Sequence, residues 1–577
     1  MREELQKYRI LTVHFFNRLF QNDVVTFGDQ ARKRTYGIMA MLASFLGFVS
    51  FMILSQYQWI ADTGQSWREK TYMIAFFMAL MGAVAVLEWD AIFPDRRDIQ
   101  NISPLPIRTR TIFNAKFTSL FLFAGMFSLG MNMFATFTFW LYLPKWLHPN
   151  LPFSLYFVLV HLISTFAALI FSLLLFNVIA GILLTLFKHH SYERISTILR
   201  SILLLGLVLL IFAFARGSFY SIDWIIDPIA DLRIENNALL YYIPPMWFTG
   251  LYETLLGNPD PVYHNLCKIA VLSLGALALL FYLTAGLSYR KHLGASADAA
   301  GHRNRKNPVL EGMGRTFFRL FLRHPVQKAV FVFYGKTLRS SMFHKIRLAS
   351  YIACGIGLVL IFLVSQHIGS EVLFSANRTM LSMPIVLAFF LMMGIKSGAD
   401  MPVAPQANWI FRITEHTQRR HYHSGFLKAI FWQNLVPLYV LLSIFFLLIW
   451  EWRTALYHII FSLTFSLLVM TVVFFKRVKI PYTCSYMPGK EKLQFYWIFY
   501  LLGYILLLGL INSIEEHMLE SPANLLIYVV IFLLSALAIR LYHNRFFYPR
   551  TGIKYEEDEE SSMIGLDYRT PDYINAD

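Results

Sequence analysis

Charge is scarce where this chain is most apolar. Its 577 residues hold 51 Lys and Arg and 35 Asp and Glu. Yet twelve long apolar runs carry no Asp, Glu, Lys or Arg across their interiors, inside the first turn at either end. Only two histidines, His161 and His458, sit inside any of them, and both read as hydrogen-bonded bundle residues. A charge at bilayer depth is costly and is kept where ions or protons move, so the runs show no built-in relay.

Cysteine is nearly absent. Cys267, Cys354 and Cys484 are too few for a disulfide framework, match no metal-site spacing and read as ordinary thiols. A phosphate loop is missing too: the nearest match, Gly335-Lys336-Thr337, has Val330 where the earlier glycine is needed. No nucleophile–base constellation survives inspection. The run Glu415-His416 to His421-Tyr422-His423 lacks the second ligand pair zinc requires, and reads as surface histidines in a cytoplasmic loop. Cys484 lies between Lys479 and Lys490 without a base partner, in a segment that reads as a rigid turn ending at Pro488-Gly489. No cofactor is therefore expected in this chain, and it is not expected to be an enzyme.

What is present is hydrophobic length. With 56% hydrophobic residues, the chain has apolar runs at 36–56, 71–87, 117–143, 154–187, 198–215 and 269–288, and again at 348–365, 380–395, 429–450, 455–475, 495–510 and 523–539. They are roughly as long as, or longer than, the 18–20 or so residues that cross a hydrocarbon core. The expectation is an all-α integral membrane protein of about twelve transmembrane helices. The net charge of +16 is distributed by topology: 43 of the 51 Lys and Arg fall at the termini and after even-numbered runs. This positive-inside pattern puts both termini in the cytoplasm, near anionic lipid, and argues against nucleic acid as a partner.

The runs fall into two halves of six. An even number per half makes the repeat parallel, whereas inverted repeats need an odd number. The division is 1–35, a cytoplasmic amphipathic segment; 36–288, the first six-span domain; 289–347, a cytoplasmic linker with a second amphipathic helix; 348–541, the second six-span domain; and 542–577, a cytoplasmic acidic tail carrying Glu556 to Glu560. Ahead of the first half, Leu5, Tyr8, Leu11, Phe15 and Leu19 share one helical face, which should lie in the cytoplasmic interface. Thr316-Phe317-Phe318-Arg319 opens a similar stretch ahead of the second.

Two cytoplasmic loops match. The loop after the second run packs Asp95-Arg96-Arg97-Asp98 and Pro104-Leu105-Pro106-Ile107-Arg108 together, and its counterpart carries Asp400, Pro402, Pro405 and Arg412. Interleaved signs suit a protein surface better than lipid alone. The one long external loop, between the fifth and sixth runs, is acidic and contains Pro244-Pro245-Met246-Trp247-Phe248. Proline opens a short helix there, and Trp247 and Phe248 are expected to anchor it at the outer interface.

On the Phe15-Phe16 helix ahead of the first run, the Asp95–Arg110 loop, the Pro-Pro-Met-Trp-Phe segment and the six-span half, the chain resembles permease subunits of ATP-binding-cassette exporters of the type-2 family. It looks like a bacterial subgroup with two such halves fused. The resemblance implies a permease in the bacterial plasma membrane. Its partner would be a separate cytoplasmic ATPase, in two copies, that holds the ATP and magnesium. It assigns ATPase contact to Phe15, Phe16, Arg18, Asp95, Arg96, Arg97, Asp98 and Arg108, and in the second half to Phe317, Phe318, Asp400 and Arg412. It also implies an external re-entrant segment around Pro244, Pro245, Trp247 and Phe248. The cargo expected is amphiphilic or lipid-like, moved outward. An ion-coupled secondary carrier, and a membrane enzyme or assembly factor without transport, remain the alternatives.

Overall fold

A computed structural model describes residues 2–20, 44, 46–53, 66–89, 107–142, 151–187, 189–219, 222–235, 237–295, 318, 320–365, 377–401, 403, 409–413, 420–475, 477, 479–483, 493–519 and 521–547. Among them there are helices and turns and no strand. Ten helices are long and apolar enough to cross a membrane, so the protein is an all-α, multi-pass membrane protein. Each of the ten covers one of the apolar runs. Of the other two, 36–56 falls mostly outside the described residues and 495–510 lies in a helix described below.

The chain divides into two compact units. Unit 1 comprises Met1–Arg303 and Ile356–Gln366, and unit 2 comprises Asn304–Gly355 and His367–Asp577. Unit 1 begins with α1 (Arg2–Phe20), followed by α2 (Trp67–Leu87), α3 (Thr109–Tyr142), α4 (Leu151–Leu186) and α5 (His189–Phe219). Then come α6 (Asp223–Ile234), a 3₁₀ turn at Ala238–Tyr242, α7 (Pro244–Leu255) and α8 (Pro261–Ala295). The expected external loop between the fifth and sixth runs is thus itself largely helical. α7 starts on Pro244-Pro245, residues that need no N–H bond there and whose φ already suits a helix.

The unit 1 core is built where α2, α4, α7 and α8 meet. Phe76, Phe77, Leu169, Met246, Phe248 and Leu266 are all buried there. The α7–α8 seam depends on Gly250: a Cβ at that position would lie 2.9 Å from the Tyr263 carbonyl oxygen and 3.1 Å from the Cys267 nitrogen. The missing side chain is what lets the two backbones approach.

Unit 2 contains α9 (Pro325–Ser340), most of α10 (Met342–Ser365), α11 (Arg378–Ala399), α12 (Trp409–Ile413) and α13 (Arg420–Ile430). A π-turn at Phe431–Leu435 joins α13 to α14 (Val436–Ile449) within one long apolar helix. Pro437 follows directly; it has no N–H to give the preceding turn, which widens instead. α15 (Trp452–Val473), α16 (Leu493–Leu519), α17 (Pro522–Tyr542) and a π-turn at His543–Phe547 complete the unit. Side chains cap three starts. His324 accepts from the Val326 N–H, Asn377 from Met380, and Ser521 from Ala523, each removing an orphan donor.

Candidate functional site: charged helix ends in each unit

The run interiors are apolar, but their ends are not. At the start of α2, Lys70 is 1% exposed and its Nζ donates to Glu253 Oε1 of α7 at 2.6 Å. Asn258 donates to the other carboxylate oxygen at 3.1 Å, and the ammonium lies 4.8 Å from the centre of the Tyr252 ring. Thr71 and Thr249 share a hydrogen bond of 2.9 Å. Tyr252 meets His161 Nδ1 of α4 at 3.1 Å. Burial, and then the neighbouring Glu253 charge, push the Tyr252 hydroxyl well above its ordinary range, so it stays protonated. Around this core Arg68 pairs with both Asp223 and Asp227, and Arg233 pairs with Asp260 at 2.9 Å while covering the Trp67 and Tyr263 rings. Four of the acidic residues between α5 and α8 are therefore ion-pair partners of α2 and α6.

At the other end of α2, Trp89 donates to the Tyr192 hydroxyl at 3.2 Å and lies under the Arg200 guanidinium at 5.0 Å. Arg200 is in the first turn of the run 198–215, and it is almost wholly buried. The indole face gives that buried cation an electrostatic contact. Close in sequence to this end, Leu11 and Phe15 of α1 pack on Ile112 and Ala115 of α3. Tyr8 meets the Thr118 hydroxyl at 2.5 Å, and Lys116 Nζ sits 5.0 Å over the Phe15 ring.

Unit 2 also pairs polar residues at its helix ends. α9 packs on α13 across Gly425, where a Cβ would stand 2.9 Å from the backbone of Gln327. Tyr334 meets Phe426 edge to face, and Gln327 bonds His421 at 3.0 Å. Asp400, just past α11, forms an ion pair with Arg477 at 3.0 Å. Burial raises the Asp400 carboxyl above its ordinary range, and Arg477, then Lys396 and Lys479, oppose that rise. Arg477 also donates to the Ala399 carbonyl at 2.7 Å and covers the Phe426 ring. Tyr482 stacks on Tyr334 with φ +64°, a left-handed conformation rare for a bulky residue. Two backbone bonds hold it there, Tyr482 N–H to Ala399 and Val403 N–H to Tyr482.

At the opposite end of α15, His458 Nδ1 and Glu515 Oε1 are 2.5 Å apart, and both side chains are 0% exposed. Phe446 and Trp450 enclose the ring.

Of the residues expected to meet an ATPase, Phe15 is buried against α3 and Phe16 is half-buried. Arg108 is exposed ahead of α3. Phe318 lies edge-on to Phe331 with Lys328 above it. Asp400 is bound by Arg477 as described. Arg18 lies in α1 and Arg412 in α12, and their side chains are outside what is described. Asp95, Arg96, Arg97, Asp98 and Phe317 lie outside the described residues, as do Cys484 and the acidic tail.

The structure also alters two expectations. Phe248 is buried in the core and Trp247 packs on Phe171, its indole N–H bonded to Tyr241, so this pair points inward. His421 and His423 belong to the first turn of α13, His423 is buried, and His421 stacks on His324 at 3.6 Å. Gly335-Lys336-Thr337 lies in the interior of α9, where no loop forms. Among the described residues no group of three His, Cys, Asp or Glu could hold a metal. Comparison of the chain with protein-family models, with curated proteins and with solved structures finds no match.

Proposed function

We propose that this chain is the permease of an ATP-binding-cassette transporter. On this reading it spans the plasma membrane twelve times with both termini cytoplasmic, binds two copies of a separate ATPase and exports an amphiphilic or lipid-like cargo. One observation carries the reading. In each unit, a helix from ahead of the first apolar run of its half packs on the leading end of the third run of that half: α1 on α3, and α9 on α13. A partner that presses on either helix is mechanically linked to a membrane span. Phe16, Arg18, Asp95, Arg96, Arg97, Asp98 and Arg108 are the contact candidates in the first half, with Phe317, Phe318 and Arg412 in the second. Phe15, which seats α1 on α3, and Asp400, which is tied to Arg477, complete the two sets. ATP and magnesium belong to the partner, and α7 is the re-entrant segment.

The test is co-purification with the ATPase encoded beside this chain. Replacing Asp95, Arg96, Arg97 and Asp98 with alanine should abolish it while the permease still inserts. Transport by the purified chain alone would overturn the reading.

One observation favours a second reading, an ion-coupled carrier. The His458–Glu515 pair is a buried acid–base couple of the kind proton-driven carriers use. Uptake into proteoliposomes driven by a proton gradient, without ATPase, would establish it, and would fail in a Glu515→Gln variant.

A further inference from the structure

Three cations converge at one edge of unit 2. Lys428 of α13 donates to the Phe321 carbonyl at 2.8 Å and to Gln327 Oε1 at 2.8 Å. The first bond draws the segment carrying Arg323 against α13, and Arg323 and Arg540 are the charged neighbours of Lys428. Arg540, in the last turn of α17, donates to the Ser424 hydroxyl at 2.8 Å. Ser424 is one helical turn before Lys428, so it shares that face. Each of these bonds has a neutral acceptor. Among the described residues none of the three cations is paired with an acid. Arg323 and Arg540 are exposed and Lys428 is half-exposed.

Apolar surface borders the cluster. Leu320 and Phe321 on one side, and Leu541 and Tyr542 on the other, are exposed. Phe321 rests on Trp432 at 4.6 Å. α17 itself has almost none of its length buried in the unit, which leaves its apolar faces to lipid. Cations bonded only to neutral acceptors, beside exposed aliphatic and aromatic side chains, match a ligand with an anionic head and a hydrocarbon body.

We propose that Arg323, Lys428 and Arg540 form a binding site for the phosphate of an anionic phospholipid. Its acyl chains lie along Phe321, Leu541 and Tyr542. The apolar border selects a lipid over free phosphate. The site rests on the membrane-spanning character of the chain and is independent of the transport reading.

Native mass spectrometry of the full chain, released from detergent with added phosphatidylglycerol, phosphatidylcholine or inorganic phosphate, tests it. The expected result is retention of phosphatidylglycerol in preference to phosphatidylcholine. The double variant R323Q/R540Q should weaken it about thirtyfold, from about fivefold per cation. Arg453→Gln, at the far end of the unit, should leave it unchanged. Equal retention of both lipids, or no loss in the double variant, would overturn the site. Full displacement by millimolar inorganic phosphate would overturn the lipid assignment. A photoactivatable phosphatidylglycerol on the unaltered chain reads the same site without relying on a variant's folding. Cross-links should map to residues 320–323, 428–432 and 540–546, and cross-links confined elsewhere would refute it.

Discussion

His161 lies in the first third of α4 and His458 in that of α15, and the two have parallel surroundings. Each lies beside a phenylalanine of the preceding run, Phe139 at 5.0 Å and Phe446 at 4.6 Å. Each has a hydroxyl one turn later, Thr165 or Ser462, bonded to its carbonyl. The partners differ: a tyrosine hydroxyl for His161, a carboxylate for His458. This difference sets what mutation does. His458→Leu strands the Glu515 carboxylate in an apolar site and should cost about 3–5 kcal/mol. Glu515→Gln keeps a hydrogen bond to a neutral ring and should cost about 1 kcal/mol. The order of apparent Tm values in one detergent checks this.

Arg477 gives a pH-dependent counterpart. Burial raises the Asp400 carboxyl and Arg477 is the first cation opposing it. Without Arg477 the folded state binds that proton more tightly than the unfolded chain does. Stability is then lost at neutral pH and regained as pH falls toward the raised pKa. Arg477→Met should therefore be destabilised on the order of 3 kcal/mol at pH 8 and by less at pH 5. A Tm difference from the parent that is flat between those values would refute this account.

At the scale of elements, α1 and α9 are each seated chiefly on one partner helix, α3 and α13. Phe15→Ala removes the largest buried side chain in the α1–α3 seam and should cost about 3 kcal/mol locally. Hydrogen exchange should rise across residues 2–20 and stay unchanged in α15 and α16. Gly425→Ala places a methyl against the Gln327 backbone. It should loosen α9 in the same way, with faster exchange over residues 325–340. If either variant speeds exchange evenly along the chain, the helix it targets is not an independently released lever.

At the scale of the molecule, the Lys and Arg asymmetry predicts the side of each segment. In a variant with its native cysteines replaced, a membrane-impermeant thiol reagent applied to intact cells should label Asn258→Cys. It should leave Ser296→Cys in the linker unlabelled until the membrane is permeabilised. The reverse pattern would invert the topology.

The apolar runs, ten of which coincide with long helices, were readable along the chain because hydropathy over some twenty residues is a local property. So was the proline that opens α7. The ion pairs were not. Lys70 and Glu253 are 183 positions apart and His458 and Glu515 are 57 apart; neither residue of a pair announces the other. Arg200 was visible in the first turn of a run, but its partner Trp89 was visible only after folding. The sequence by itself determined that this is a helical membrane protein with charge excluded from its span interiors, because a bilayer penalises each residue where it stands. Only tertiary structure decided where the buried charges at the span ends find partners, because that depends on which distant helix ends the packing brings within 3 Å.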